Sequence, residues 1–262
     1  MEVNKIYNEN CLDTMKRMPD NFIDLTVTSP PYDNLRDYKG YSFPFEEIAK
    51  ELYRVTKQGG VVVWVVGDSV IDGSESLTSF KQAMYFKEIG FNVHDTMIYQ
   101  KDVMPFPEQT RYNQCFEYMF IFSKGKPKTF NAIKEKTQGY KPSKTSTTRN
   151  ADGETVGLKY EQGKEDRSLF NIWKFGCGFN KTTNDKIAFK HPAMFPEDLA
   201  QKHIISWSNE NDLIYDCFGG AGTTAKMAHK WKRNWILSEI SNEYVQIAEK
   251  RLQPYLAQSS LF

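Results

Sequence analysis

Little in this 262-residue chain invites a metal or a disulfide. The four cysteines, at 11, 115, 177 and 217, lie far apart and form no C-x-x-C pair, which argues against a zinc knuckle or a disulfide framework and suits a reducing compartment. The four histidines, His94, His191, His203 and His229, share no ligand spacing, so no metal is expected. No apolar run approaches the roughly 20 residues that span a bilayer, and the opening MEVNKIYNENCLD has no signal-like apolar core. A cytoplasmic protein without a membrane partner is expected. Net charge is also lacking: at +1 the chain advertises no polyelectrolyte partner. Its distribution is less even. Between Lys124 and Lys190 fifteen Lys or Arg accompany seven Asp or Glu, a local excess of eight that leaves the remainder acidic.

What is present is alternation. Residues 22–29 (FIDLTVTS) are β-rich, and 60–68 (GVVVWVVGD) are apolar throughout, as in a strand buried on both faces. Residues 92–101 and 115–125 read as two further strands. Between these, 44–57 puts Ile48, Leu52 and Val55 on one helical face, with Gly59 and Gly60 expected to close it. A second amphipathic helix covers 76–91. From about 126 to 186 the composition turns to Lys, Thr, Ser, Gly and Asn, with little periodicity, as in a linker. Yet Phe130, Tyr140, Tyr160, Phe170, Trp173, Phe175 and Phe179 are more aromatics than a linker carries. From 191 the pattern resumes as helix (191–208), strand, glycine turn and helix (212–232), strand (234–241) and helix (242–256). The fold predicted is α/β: a doubly wound, mostly parallel sheet interrupted once by a basic, loop-rich insert.

Two stretches stand out. In YDCFGGAGTT, Gly219, Gly220 and Gly222 permit a tight turn and close backbone approach, and Thr223 and Thr224 open a helix whose free amides favour an anionic group. Glu239, ending the next apolar run, is suitably placed to accept both ribose hydroxyls of a nucleoside. On these residues alone an ordinary strand-to-helix turn, or a dinucleotide site spelled from Gly220 to Ala225, stays open. The other stretch is T-S-P-P-Y at 28–32, where an apolar strand runs into two prolines. Proline cannot donate to a ladder, and the residue before it is held extended, so a stiff backbone with bare carbonyls precedes an aromatic ring. A strand-ending turn or a polyproline-type ligand patch would also account for those five residues.

Taken together, TSPPY and FGGAG resemble the amino-group DNA methyltransferases, which use S-adenosylmethionine. Their order, catalytic tetrapeptide first and glycine motif last, is similar to the circularly permuted β class. NENCLDTMKRMPDNFIDLTVTSPPY, QKDVMPFPEQTRYNQCFEYMFIFSKG and HPAMFPEDLAQKHI also resemble family blocks, so the likeness covers about three quarters of the chain. It implies a class I methyltransferase sheet with residues 1–125 as its catalytic half, 126–186 as a target-recognition insert and 187–262 as its cofactor-binding half. Ser29, Pro30, Pro31 and Tyr32 would be catalytic. Asn10, Cys11, His191, Phe195, Asp216, Phe218, Gly219, Gly220, Gly222, Thr223, Thr224, Glu239 and Ile240 would surround the cofactor. In the insert, Lys141, Lys144 and Arg149 would neutralise phosphates of double-stranded DNA. Two departures touch contacts rather than chemistry: Glu9-Asn10 replaces the family's usual Gly-Asp, and KDVMPFP replaces a Lys-Pro-Asn-Pro run.

The resemblance implies this reaction: an exocyclic amine, its lone pair freed by hydrogen bonds to Ser29 Oγ and the Pro30 carbonyl, attacks a sulfonium methyl, while Tyr32 stacks on the flipped base. Ser-Pro-Pro-Tyr goes with cytosine N4; adenine N6 is the alternative, and a nicotinamide oxidoreductase, supported by the glycine turn alone, leaves SPPY unexplained. Methylation of protein or RNA amides, and a non-catalytic DNA-binding subunit, are further rivals. A homodimer and a cognate restriction endonuclease are implied by family likeness only. Tyr32→Ala should keep cofactor binding by calorimetry and lose most methyl turnover; unchanged turnover would remove the ring as a stacking platform.

Overall fold

In a computed structural model, the protein is described at residues 1–31, 43–102, 110–136, 147–157, 166–178 and 181–259. An eight-stranded sheet is built from β1 (Lys5–Tyr7), β2 (Ile23–Thr28), β3 (Thr56–Val66), β4 (Asn92–Lys101), β5 (Phe116–Ser123), β6 (Ile172–Phe175), β7 (Leu213–Asp216) and β8 (Asn234–Ser238). Their spatial order is β1-β8-β7-β2-β3-β5-β4-β6. Neighbours run parallel except at β5, which is antiparallel to both β3 and β4. Helices α1 (Cys11–Lys16), α2 (Phe45–Val55) and α3 (Thr78–Glu88) pack in one group, and α4 (Glu197–Trp207), α5 (Thr223–Lys230) and α6 (Asn242–Ser259) in another. This is the doubly wound arrangement, and it explains why β3 is apolar throughout: from Gly60 to Val66 every residue is buried.

The core forms where the sheet meets the first helix group. Ile48, Leu52 and Val55 of α2 are buried as their helical spacing required. They join Trp64, Phe86 and an aromatic row on alternate residues of β5, in which Phe120 and Phe122 stack with ring centroids 5.9 Å apart. Phe86 of α3 stacks on Phe122 at 4.4 Å. His203 is a core histidine, its Nε2 3.2 Å from Met119 Sδ and its ring against Trp173. Burial pushes its pKa down to about 3, so it stays neutral.

One expectation is corrected. Gly59 and Gly60 do not close α2; the helix ends at Val55 and the chain passes directly into β3, with both glycines inside the strand. The β2–β3 register jumps from Ile23↔Thr56 to Leu25↔Val61, so the glycines lie in a bulge. A Cβ on Gly59 would sit 2.9 Å from Lys128 Cβ, and one on Gly60 2.8 Å from Thr56 Cγ2. Three short elements, β1, α1 and β6, had no periodic signal to announce them.

The chain divides into two compact units, Met1–Asn131 with Asn171–Phe262, and Ala132–Phe170. The second is narrower than the 126–186 segment set off by composition, because β6 joins the sheet beside β4. Within it, Lys134–Lys136 pairs with Asp166–Ser168, and Thr147–Arg149 with Thr155–Gly157, both antiparallel. Its described residues balance Lys134, Lys136, Arg149 and Arg167 against Glu135, Asp152, Glu154 and Asp166. Among the described residues, no helix is long and apolar enough to cross a membrane.

Trp64 is fully buried, touches Phe45, Phe86 and Phe218, and donates from Nε1 to Gln82 Oε1 at 2.8 Å. Trp64→Ala should cost about 3–5 kcal/mol in urea unfolding, through the cavity left and the stranded Gln82 acceptor.

Candidate active site

The β3, β4, β6, β7 and β8 strands all point the same way as β2, so their carboxyl ends meet along one edge, where antiparallel β5 contributes its start. A cavity of about 710 Å³ runs along that edge. Read across the sheet, its wall takes Glu239 after β8, Phe218, Gly219 and Gly220 after β7, Ser29, Pro30 and Pro31 after β2, Gly67 and Asp68 after β3, Glu117 from β5, Lys101 from β4 and Cys177 after β6. Ligand sites in open α/β sheets lie at such edges.

The central joint is Asp216. β7 pairs with β2 at Tyr215↔Thr26, a register that carries Asp216, the last residue of β7, to Val27, one residue short of Thr28. The Thr28 hydroxyl donates to Asp216 Oδ1 at 2.6 Å, and the Phe218 amide reaches the same oxygen at 3.1 Å. Thr224 Oγ1 lies 2.7 Å from Asp216 Oδ2 and 3.2 Å from the Val27 carbonyl. Burial drives the Asp216 pKa above its ordinary value, against the lowering pull of the two hydroxyls and the amide. The residue lines the cavity, but its carboxyl group is engaged by the protein, locking the end of β2 to the glycine turn.

The turn itself follows from glycine's freedom at two positions. Gly220 has φ +49, and a Cβ there would lie 3.0 Å from His191 Nε2; Gly222 has φ +77, and a Cβ would meet Ala248 Cβ at 3.0 Å. Glu239 holds the turn, its Oε2 accepting from the Gly220 amide and its Oε1 from the Ser241 amide, both at 2.8 Å. Burial raises its pKa, with the two amides opposing. The His191 ring sits 4.3 Å from Tyr244, and its Nδ1 accepts from the Ala193 amide at 3.2 Å. The 181–197 segment carrying His191 and Phe195 is bolted beneath the turn. Lys226 bridges Asp185 and Glu197 at 2.7 Å each, and Arg251 pairs with the same two acids. Arg251 Nη1 also donates to the Ala221 carbonyl at 3.0 Å and to Thr223 Oγ1 at 2.9 Å. Burial raises the Asp185 carboxyl, but the hydrogen bonds from Lys226 and Arg251 prevail and hold it below its ordinary value.

Of the sequence-predicted residues, Asn10, Cys11, Ser29, Pro30, Pro31, His191, Phe195, Asp216, Phe218, Gly219, Gly220, Thr223, Glu239 and Ile240 share the cavity wall. Gly222 and Thr224 stand behind it rather than in it: Gly222 caps α5 against Ala248, and the Thr224 hydroxyl is turned to Asp216 and β2. Asn10 caps α1, accepting from the Leu12 amide at 2.9 Å. Burial pushes the Cys11 thiol up to about 12, so it is no thiolate nucleophile. Arg149 is exposed in the second unit; Tyr32, Lys141 and Lys144 lie outside the described residues.

Sequence reasoning did not single out Asp68, Tyr99, Lys101, Glu117 and Cys177 as site residues. Asp68 accepts from the Ser79 amide at 2.8 Å and its hydroxyl at 2.5 Å. Lys101 pairs with Glu117 at 2.6 Å, and Tyr99 Oη lies 2.6 Å from Cys177 Sγ. For Asp68, Tyr99, Lys101 and Glu117 the signal available was position alone, at the ends of predicted strands; Cys177 follows β6, which gave none. Glu9 is paired with Arg17 and Glu117 with Lys101, so the acidic character of the wall comes from Asp68, Asp216 and Glu239, an environment that favours a cationic ligand over an anionic one.

A circularly permuted α/β sheet with a proline-stiffened strand end beside a glycine turn defines a methyltransferase class. The chain belongs to the DNA methylase family, whose model matches residues 23–250, and it is a DNA methyltransferase. It is 59% identical over 238 residues to the orphan methyltransferase M.BamHII of Bacillus amyloliquefaciens, covering 89% of this chain and 90% of that one. Its fold is similar to that of the cytosine-N4-specific PvuII DNA methyltransferase, with a TM-score of 0.69 at 20% identity, over 98% of this chain and 93% of the other. It is similar also to the M1.HpyAVI–SAM complex, with a TM-score of 0.58 at 23% identity, over 95% and 99% of the two chains.

Asp216→Asn keeps an acceptor for Thr28 and Phe218 but cannot ionise. Because the wild-type folded-state pKa lies above the ordinary 3.8, the folded protein holds this proton more tightly than the unfolded chain does. The carboxyl's contribution therefore favours folding at low pH and is lost as pH rises above that value. Wild-type stability minus that of Asp216→Asn, from urea melts, should fall as pH rises above about 4; a flat difference would show no shifted proton.

Proposed function

We propose that the protein transfers a methyl group from S-adenosylmethionine to the N4 amine of a cytosine extruded from double-stranded DNA. The observation that carries this reading is that one cavity holds both Ser29-Pro30-Pro31 and the Gly219-Gly220-Glu239 cradle, on adjacent strand ends joined by Asp216. S-adenosylmethionine fits this lining on two counts. Gly219 and Gly220 bring bare backbone to the wall, where a Cβ would crowd Leu237 or His191, and the acidic wall suits the sulfonium and ammonium of the ligand. When bound, it supplies an electrophilic methyl. Glu239 keeps lone pairs for ribose hydroxyls while its amide partners fix its orientation. Phe218 and Ile240 offer apolar faces for the adenine, and His191 and Phe195 close the methionine side.

The chain's part in the chemistry is to hold acceptors. Ser29 Oγ and the Pro30 carbonyl take hydrogen bonds from the target amine, bias its nitrogen toward tetrahedral geometry and release the lone pair. Pro30 and Pro31 keep that carbonyl aimed at little entropic cost. Tyr32 stacks on the extruded ring. The acidic lining disfavours phosphate in the cavity, and the basic side chains of Lys141, Lys144 and Arg149 neutralise phosphates of the DNA backbone. Affinity for DNA should accordingly fall steeply with salt.

Ser-Pro-Pro-Tyr supports cytosine over adenine, and the orphan designation of the 59% identical relative supports an enzyme that works without a companion endonuclease. A homodimer is a further proposal, read by sedimentation of the pure protein. The test is incubation with methyl-labelled cofactor and unmethylated DNA, RNA or protein, then digestion of the DNA to nucleosides. Label is expected in N4-methylcytosine, and Ser29→Ala should lower it at least about 100-fold. Label in N6-methyladenine alone would transfer the reading to adenine, and label in RNA or protein alone would end it.

A further inference from the structure

The donor-binding features occupy only one half of the cavity. Across the sheet from Ser29, away from the glycine turn, the edge continues through β3, β5 and β4. The β3 position contributes Gly67, which leaves the floor there without a side chain, and Asp68, whose carboxylate is engaged by Ser79 and Ser76. Beyond it stand Glu117 and Lys101, two and three strand positions from β2. At about 4.8 Å per strand that is on the order of 10–15 Å from the Ser29 backbone, a gap that one nucleobase and a lysine side chain together fill. Phe116 and Tyr99 line the same half and offer aromatic faces.

The pair that closes this half has a particular chemistry. Lys101 Nζ lies 2.6 Å from Glu117 Oε1 and 6.0 Å from the centroid of the Tyr99 ring; the two charged side chains are 31% and 14% exposed. An ammonium carries three N–H bonds, of which the carboxylate takes one. What the cavity meets is therefore a set of donors with no net charge behind them. Such a wall is poorly suited to a phosphate and well suited to the acceptor edge of a neutral base. Beside its amine, cytosine presents N3 and then O2, two acceptors in sequence; adenine presents N1 and then a C–H.

We infer that the Lys101–Glu117 pair determines base specificity, with the Lys101 ammonium donating to the N3 and O2 edge of the extruded cytosine while Glu117 holds the ammonium in place. An adenine in the same position satisfies one of those donors and leaves the other facing a C–H, the kind of unpaired buried group by which polar sites reject analogues. This inference rests on the cytosine reading proposed above.

The full-length protein is tested with tritiated-methyl cofactor on amplified, methyl-free genomic DNA. Three variants are compared: Lys101→Met, Lys101→Arg, and the double variant Lys101→Met/Glu117→Gln, which leaves no uncompensated carboxylate. In both Met-containing variants kcat/KM for DNA should fall about 10- to 100-fold. Cofactor affinity by calorimetry should hold within about twofold, and the ratio of N4-methylcytosine to N6-methyladenine should drop. Lys101→Arg should restore most of the rate and the ratio, because it restores the donors. A double variant with wild-type rate and product ratio overturns the inference, as does a loss of cofactor affinity that matches the loss of rate. If the wild type labels adenine alone, the cytosine reading fails with it, a result that is distinguishable because no variant is involved.

Discussion

A buried carboxyl group, accepting hydrogen bonds from two segments of chain about 190 residues apart in sequence, makes this cavity a reaction site. Asp216 takes the Thr28 hydroxyl on one oxygen and meets Thr224 with the other, while the Phe218 amide begins the glycine turn from the same group. Without that joint, Ser29-Pro30-Pro31 and Gly219-Gly220 would be features of two neighbouring loops. With it, the acceptor carbonyl and the donor cradle are fixed on adjacent strands, about one strand spacing apart. The environment reinforces the joint: burial penalises ionisation of Asp216, and three donors offset the penalty in part.

Permutation of the chain order costs the site nothing, because a parallel sheet brings all carboxyl ends to one edge whatever the order of strands. β2, near the start of the chain, lies beside β7, near its end. The reversed strand, β5, does not break the pattern, since its start arrives where the other strands finish. The lower wall is stabilised differently. Lys226 and Arg251 share two acids and reach back to Ala221 and Thr223, so the 181–197 segment and the glycine turn form one polar unit. Buried ionic groups of this kind define geometry more than they add stability.

The two halves of the cavity differ in what they exclude. Around the cradle, carboxyl groups dominate, which favours a cation and disfavours phosphate. Around β4 and β5, the Lys101–Glu117 pair cancels its own charge and leaves donors. The basic excess counted between Lys124 and Lys190 is not matched by the described part of the Ala132–Phe170 unit, where four basic and four acidic side chains balance. It falls instead on flanking residues such as Lys124, Lys126, Lys128, Lys181, Lys186 and Lys190, and on undescribed ones. A charge count over a window ignores where a fold divides that window.

The residues themselves announced a good deal. A long apolar run such as GVVVWVVGD can only be a strand covered on both faces, the positions of Ile48, Leu52 and Val55 can only bury one side of a helix, and GGAG after an apolar run can only turn sharply. Local chemistry dictates these things, so they were legible. Short elements such as β1, α1 and β6 were not, because three to six residues carry no period and are held by their neighbours in the sheet. Nor could Gly59 and Gly60 reveal a bulge rather than a helix end, since Lys128, which crowds Gly59, is distant in sequence. Thr224 and Gly222 stand behind the cavity wall, against Asp216 and Ala248, while Lys101 and Glu117, strand residues by their pattern, line it. Which way a side chain faces, and what it meets there, depends on pairings between distant segments, and only the packed structure contains those.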